Sequence, residues 1–476
     1  MTGPVLWTAA NAARATGSLA GGGWSATGVS VDSRTLAAGD LFVALKGPNF
    51  DGHAFAAGAA GAGAAAVMIE RRPEELAEDT ACLRVTDTGA ALEALGREAR
   101  NRSQARIAAV TGSVGKTSSK EMLHLALGPS GATHASTGSL NNHIGVPLSL
   151  ARLPTDAAFG VFEAGMNHPG ELTPLSELIA PDVALITTVE AVHLASFASV
   201  EEIADAKAEI FAGMSRDGIA VLNRDNPQFD RLADAARARG LARIVGFGTG
   251  ADADARLLEI ETGAVDSILR TEFDGRPLAY RLALPGRHMA LNSVGVLAAV
   301  QALGANLDAA AAMLGALKPL PGRGARHSLA IDGGMGELID ESYNASPVSV
   351  RAALEVLAAA RPGAGGRRIA VLGDMLELGP DGPALHAGLA PAVEAAGIDS
   401  AFTCGEQMGA LREVLPASID GAHAVDSETL APLVLDALVP GDLIMVKGSL
   451  GSRMGLVVDA LLRGVAALPS RRAVNG

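Results

Sequence analysis

The chain has 476 residues but only two cysteines, two tyrosines and two tryptophans, and aromatic side chains make up 3% of it. Cys82 and Cys404 lie far apart in sequence. Two isolated thiols form neither a disulfide framework nor a metal knuckle, so both are read as small buried residues in a reducing compartment. Positive charge is scarce too: 38 Lys and Arg face 52 Asp and Glu, a formal net charge of −14. Nucleic-acid binding needs a basic surface that displaces counterions from phosphates, and this composition excludes it as the main activity. An anionic ligand must be held by local donors acting against the overall field. Long apolar runs are also missing. Residues 54–68 are rich in Ala and Gly and bounded by His53 and Glu70, short of the roughly 20 strongly apolar residues of a membrane span. Residues 1–19 hold one arginine and no apolar core of a signal peptide. The expectation is a soluble cytosolic protein without a membrane span.

Hydrophobic residues make up 49% and charged residues 19% of the chain, a globular composition. At roughly 100–200 residues per domain the length predicts two to four domains. Short strands at 29–32 and 40–45, each followed by turn residues, and a helix over 90–103 predict a small α/β unit. A second unit opens with a buried strand at 106–110. It alternates strands (159–164, 183–189, 219–223, 243–247) with helices (200–214, 226–239), the pattern of a parallel sheet covered on both faces. Residues 257–284 alternate in polarity around Asp274-Gly275 and predict an antiparallel edge. Helices over 290–303 and 307–317 follow. The Pro/Gly-rich connector 318–324 is a boundary, beyond which strands at 337–340, 368–373, 401–404 and 443–447 resume the α/β pattern. The fold class is α/β in three domains: 1–104, a mostly parallel central domain over 105–317, and a Rossmann-like domain over 318–476.

The sharpest local motif is Thr111, Gly112, Ser113, Val114, Gly115, Lys116 and Thr117, after a strand and opening a helix. Glycines let backbone N–H groups close around phosphate oxygens, and the helix N-terminus adds a positive dipole end. Lys116 is placed to reach the β/γ-phosphates and Thr117 to offer its hydroxyl to Mg²⁺. The usual first Gly is Val110 here, so this is a shortened phosphate-binding loop. Glu163 ends one strand and His193 follows another at the same carboxyl edge, where ligands of open sheets collect. Each could be a metal ligand or a structural residue. On spacing alone Lys207 reads as a solvated helix lysine paired with a neighbouring acid. Asp225-Asn226-Pro227 reads as a capped helix start.

The loop at Thr111–Thr117, the run Asn141-Asn142-His143-Ile144-Gly145-Val146-Pro147 and the run Glu163 through Glu171 together resemble the ATP-binding core of the Mur ligases. Two C-terminal runs add to it. Asp340-Glu341-Ser342-Tyr343-Asn344-Ala345-Ser346-Pro347 resembles D-D-S-Y-N-A-N-P, departing at Glu341 and Ser346. Val371 through Gly379 resembles the second C-terminal signature. Both are similar to the family member that adds a D-Ala-D-Ala dipeptide.

The resemblance implies an ATP-dependent ligase with two Mg²⁺ ions and a carbamylated Lys207, the metals being held by Thr117, Glu163, His193 and the carbamate. It names Lys116, Glu163, His193 and Lys207 as catalytic. It adds Asn292, Arg323 and Asp340 to the ATP site. It implies a UDP-N-acetylmuramoyl-tripeptide acceptor and D-Ala-D-Ala as partners of a monomer. Ser33, Arg34, Phe50, Asp51, Gly52 and the neighbouring His53 would hold the UDP end, with Asn141, Asn142, Tyr343 and Asn344 on substrate. Without it, Asp51-Gly52 is a turn, Arg323 a linker charge, Tyr343 a core aromatic and Asn292 a helix residue.

Overall fold

The computed structural model describes residues 3–47, 50–192 and 196–464. It confirms an α/β protein with mostly parallel sheets. The described residues form two compact units. One runs up to Val189 and includes Ile203–Asp254 and Gly295–Ala310; the other includes Glu190–Glu202, Ala255–Val294 and the chain from Ala311 on.

Among the described residues the first unit contains a two-stranded ladder of Trp7–Thr8 with Ser25–Ala26 and two larger sheets. The smaller of these two has the order Leu19–Gly21, Cys82–Arg84, Ala66–Ile69, Asp40–Val43, Gly28–Ser30, antiparallel only in its first pair. Its inner strands Asp40–Val43 and Ala66–Ile69 are buried on both faces: Leu41, Val43 and Met68 point into one core, Phe42, Val67 and Ile69 into another. That two-sided burial, with side chains alternating every residue, explains the continuous apolar runs. The helix Thr88–Arg102 starts on an Asp87 cap whose side chain accepts from Ala90 N–H. It packs on the helix Gly145–Ala151, where Trp7 Nε1 donates to Ala151 O at 2.8 Å.

The larger sheet has the parallel order Arg243–Gly248, Ile219–Asn223, Val183–Ile186, Arg106–Thr111, Phe159–Glu163, Thr133–Ala135. Ile107 to Val110, Val183 to Leu185 and Ala220 to Leu222 are fully buried. The strand expected over 183–189 ends at Ile186. Thr187 and Thr188 leave the ladder to serve the loop at Thr111–Thr117 instead. The helix expected over 200–214 ends at Ala208 and tightens into a 3-10 turn, Glu209–Phe211. There the Glu209 carboxylate accepts from the N–H groups of Gly170, Leu172 and Thr173 at 2.6, 3.1 and 3.0 Å, capping the helix Leu172–Ile179. The helix expected from Asn226 begins at Phe229, after a turn in which Asn226 Oδ1 accepts from Gln228 N–H at 2.9 Å.

In the second unit Ala255–Thr262, Ser267–Phe273 and Arg276–Leu282 form an antiparallel meander. Its second turn is Asp274-Gly275, both with positive φ, 48° and 81°. The C-terminal sheet has the order Ala325–Ile331, Gly334–Glu341, Leu443–Lys447, Arg368–Gly373, Ser400–Cys404, Asp420–Ala424, antiparallel only in its first pair. Ile369, Val371, Ile444 and Val446 face one core; Ala370, Leu372, Leu443 and Met445 face the other. Cys82 and Cys404 are free and buried, as expected from their spacing. Burial, with Asp374 and Asp426 nearby, pushes the Cys404 thiol up to about 11, so it is not a nucleophile at neutral pH. Among the described residues no helix is long and apolar enough to cross a membrane.

Candidate active site

The strand Arg106–Thr111 delivers the chain to a tight loop that opens the helix Lys116–Leu127. Two glycines make that loop possible. Gly112 has φ of 149° and Gly115, the residue capping the helix, φ of 84°. Both values disfavour any residue with a Cβ. Thr187 of the adjacent strand end fastens the loop: its Oγ1 donates to Val114 O at 2.6 Å, and its N–H donates to Thr111 O at 3.0 Å. Ser113 N–H donates to Thr188 O at 2.9 Å. The Lys116 ammonium reaches back to Gly112 O at 2.8 Å, and Thr117 is buried on the first turn. The loop therefore presents N–H groups, a cation and a hydroxyl at a helix N-terminus, the donor set that phosphate requires.

Glu163 closes the neighbouring strand and is 1% exposed. Its Oε1 accepts from Asn141 Nδ2 at 2.7 Å, while its Oε2 is buried with no hydrogen-bond partner. A buried carboxylate oxygen without a donor is costly, and a divalent cation is the partner that removes the cost. Lys207 is 2% exposed. The solvated-lysine reading of its spacing is therefore wrong: the helix Val200–Ala208 turns this residue inward. Burial, and secondarily the Lys116 charge, drives its amine well below the usual lysine range, toward the neutral form that reacts with CO₂. Thus Lys116, Thr117, Asn141, Glu163 and Lys207 come together in one unit, and their donors fit Mg²⁺ with a carbamate as a further oxygen ligand. His193 lies outside the described residues. Among those described, no group of three or more His, Cys, Asp and Glu gathers around one point.

Three residues shape this edge through contacts that the sequence does not reveal. Asn226 donates to Thr188 Oγ1 at 3.0 Å and Val189 O at 2.9 Å. The expected helix start is present, though the helix itself begins at Phe229: Asn226 Oδ1 accepts from Gln228 N–H at 2.9 Å, while its amide NH₂ holds the chain leaving the strand Val183–Ile186. Glu209 and Thr187, described above, do similar work from elsewhere. No pattern in the sequence marks them, because each acts on a backbone group distant along the chain. Asn142, in contrast, caps the helix Gly145–Ala151 through Gly145 N–H at 2.9 Å.

At the UDP-end candidates, Asp51 accepts from His53 N–H and Arg71, which hold its carboxyl below the usual range. His53 is buried and accepts at Nε2 from Glu70 N–H, at 2.9 Å, so Nδ1 carries the proton shared with Asp51 at 2.6 Å. A Cβ on Gly52 would sit 2.6 Å from Leu45 O. Phe50 is exposed, and Arg34 forms a bidentate pair with Asp32.

In the second unit Arg323 stacks over the Tyr343 ring at 4.1 Å, so neither is a plain linker charge or core aromatic. Asp340 accepts from Gly322 N–H at 2.8 Å and Ser342 N–H at 3.1 Å, strapping the connector to its strand. Asn292 is half-buried on the helix Arg287–Ala302. Where the resembling motif departs, Glu341 reaches Lys447 at 3.4 Å, and Ser346 forms a reciprocal cap with Ser349 for the helix Pro347–Ala359. Lys447 is buried beside Asn344 O at 3.0 Å, and burial lowers its amine despite Glu341. Asn344 thus adjoins the buried Lys447 amine, and Tyr343 the Arg323 guanidinium.

The parallel sheet, the glycine loop and the buried carboxylate at its carboxyl edge define a phosphate-loop nucleotide-binding α/β protein. Three family models match in chain order: the Mur ligase family catalytic domain over 25–101, the Mur ligase middle domain over 110–300, and the Mur ligase glutamate ligase domain over 337–450. The chain is 37% identical over 447 residues to a UDP-N-acetylmuramoyl-tripeptide--D-alanyl-D-alanine ligase of Escherichia coli K12, covering 94% of this chain and 96% of that protein. It is 33% identical to the Bacillus subtilis ligase of the same name, over 91% of this chain and 93% of that one. The crystal structure of MurF from Acinetobacter baumannii superposes with a TM-score of 0.82 at 28% identity, covering 97% of this chain and 100% of that one. MurF ligase of Thermotoga maritima in complex with ADP gives 0.74 at 26% identity, covering 92% and 98%. The chain belongs to the Mur ligase family and is an ATP-dependent ligase that forms carbon–nitrogen bonds.

Proposed function

We propose that the chain joins D-alanyl-D-alanine to UDP-N-acetylmuramoyl-tripeptide, with ATP converted to ADP and phosphate, in the cytoplasmic assembly of peptidoglycan precursor. The observation that carries this reading is continuous likeness, across all three domains, to ligases named for that reaction. The chemistry is a two-stage condensation. The tripeptide's terminal carboxylate attacks the γ-phosphorus of ATP, breaking its bond to the β–γ bridging oxygen and releasing ADP. The amine of D-Ala-D-Ala then attacks the acyl phosphate, loses a proton, and phosphate leaves from the tetrahedral intermediate. Activation is necessary because a carboxylate is a poor electrophile toward an amine.

The loop N–H groups and Lys116 hold and neutralise the β- and γ-phosphates as charge moves onto the departing ADP. Thr117, Glu163, His193 and Lys207, as its carbamate, are the residues that would hold two Mg²⁺ ions. When bound, these ions offset the repulsion between ATP and the approaching carboxylate. Asn141 orients Glu163. Ser33, Arg34, Phe50, Asp51 and Gly52 are assigned to the UDP end, Asn142, Tyr343 and Asn344 to the peptide substrates, and Asn292, Arg323 and Asp340 to ATP. Domain boundaries fall at 104/105 and 317/318, and the enzyme acts as a monomer, a state that light scattering on the purified protein measures.

The test is phosphate release with ATP, Mg²⁺ and the UDP-linked tripeptide, with and without D-Ala-D-Ala. Release that needs both, with a product heavier by one dipeptide less water, is expected. Turnover with free diaminopimelate or lysine would reassign the chain to the neighbouring family member. Hydrolysis independent of any acceptor would make it a nucleotide switch.

A further inference from the structure

The helix that opens at Lys116 carries a second lysine one turn further on. Lys120 is fully buried on a face otherwise occupied by Ser119, Met122, Leu123 and Ala126. An ammonium there carries a desolvation cost that an apolar side chain would not, so its hydrogen bonds define what it contributes. It makes three. Its Nζ donates to Glu121 Oε1, to Ser136 O at 2.6 Å and to Gly138 O at 2.9 Å. Both carbonyls belong to the loop 136–141, which leaves the edge strand Thr133–Ala135 and encloses Glu163 from two sides.

At its start, Ser136 N–H donates to Val161 O at 3.0 Å, and Ser136 Oγ accepts from Glu163 N–H at 3.3 Å. At its end, Asn141 Nδ2 donates to Glu163 Oε1, and Asn141 O accepts from Gly165 N–H at 2.8 Å. Asn141 therefore selects which carboxylate oxygen is engaged and leaves Oε2 free. Thr117 sits on the same helix as Lys120, three residues earlier, so Lys120 ties the element carrying the hydroxyl to the loop that orients the carboxylate.

We propose that Lys120 is a positioning residue that couples the phosphate-loop helix to the loop 136–141, and so sets the affinity of the Thr117–Glu163 site for a divalent cation. The proposal rests on reading Glu163 as a metal ligand. Lys120 acts through Ser136 and Gly138, whose loop carries Asn141 to Glu163. Side chains that support metal ligands from outside typically change metal affinity by about 10–100-fold when removed, and that is the size of effect expected here.

The test is binding of Mn²⁺, as a spectroscopic replacement for Mg²⁺, to the full chain saturated with ADP, read by the electron paramagnetic resonance of free Mn²⁺. ADP affinity in EDTA is measured in parallel. Lys120→Met should weaken Mn²⁺ binding by about 10–100-fold while metal-free ADP affinity stays within about twofold, a split that general loosening of the phosphate loop would not produce. Unchanged Mn²⁺ affinity, or an equal loss of metal-free ADP binding, overturns the proposal. Circular dichroism checks folding; should Lys120→Met not fold, Lys120→Gln, too short to hold both carbonyls, is measured in its place against the same two criteria. Glu163→Gln separates this proposal from the reading beneath it. If Glu163→Gln binds Mn²⁺ like the unmodified protein, Glu163 is not a ligand and the metal reading falls. If Glu163→Gln is impaired and the Lys120 variant is not, only the positioning role falls.

Discussion

Gly112→Ala is the substitution on which the geometry of the phosphate loop makes its strongest claim. A Cβ built at Gly112 lies 1.9 Å from Thr187 Oγ1 and 3.2 Å from Thr187 Cβ and N, at a backbone φ of 149°. Holding a non-glycine residue in such a region costs about 1–3 kcal/mol. Thr187 is 1% exposed and donates to Val114 O at 2.6 Å. Moving it leaves the half-buried Val114 carbonyl without its donor, about 1–3 kcal/mol more. The sum, about 2–6 kcal/mol, corresponds to a loss of roughly 30-fold to 10⁴-fold in ADP affinity if the loop must regain its shape to bind phosphate. Calorimetric titration of ADP into Gly112→Ala, Thr187→Ala and the double variant measures it. Thr187→Ala loses the tether but also removes the colliding oxygen. The double variant should therefore bind ADP better than the product of the two single effects, by about 1 kcal/mol or more of coupling. ADP affinity within twofold of the unmodified protein in Gly112→Ala, or strict additivity, refutes the reasoning.

Lys207→Ala should lose ligation activity, and added acetate should restore part of it by supplying the missing oxygen ligand; unimpaired turnover in the plain variant sinks the carbamate. Lys116→Ala should abolish formation of the acyl phosphate, trapped by reduction or hydroxylamine, and normal trapping would mean the loop does not hold the transferred phosphate. His288 is held down to about 4 by burial and by the Lys447 charge, against an ordinary value of 6.5. The unfolded chain then takes up the proton first, so stability from neutral His288 is complete above pH 6.5 and is lost as pH falls from 6.5 to 4, at most about 3 kcal/mol. Thermal scans of His288→Gln should show a flatter dependence across that window, and an unchanged slope would show that His288 is not the group responsible.

Much of the active-site chemistry is legible in the chain itself, because a phosphate loop is local. Thr111 through Thr117 need only a strand before them and a helix after, and both are written in adjacent residues. The parallel sheets are legible for a related reason. Strands such as Arg368–Gly373 bury alternate residues in two different cores, so Ile369 to Leu372 are all apolar and the run stands out. The element ends are less legible. The strand Val183–Ile186 stops early because Thr187 and Thr188 have partners more than 70 residues away, and the helix Val200–Ala208 tightens where Glu209 is captured by the turn before Leu172.

Residue types and their order determined the class of chemistry, a glycine loop with Lys-Thr for nucleotide phosphate, and set a carboxylate at a strand end beside it. They determined the α/β architecture through the length and composition of the apolar runs. Only the tertiary structure decided that Lys207 faces inward, that Asn141 occupies one oxygen of Glu163 and leaves the other free, and that Lys120 is buried against the loop 136–141. A helix lysine has the same spacing whether it meets water or a second lysine, and its protonation depends on which of the two it meets. That is a property of its surroundings, which are assembled from strands and loops far apart along the chain.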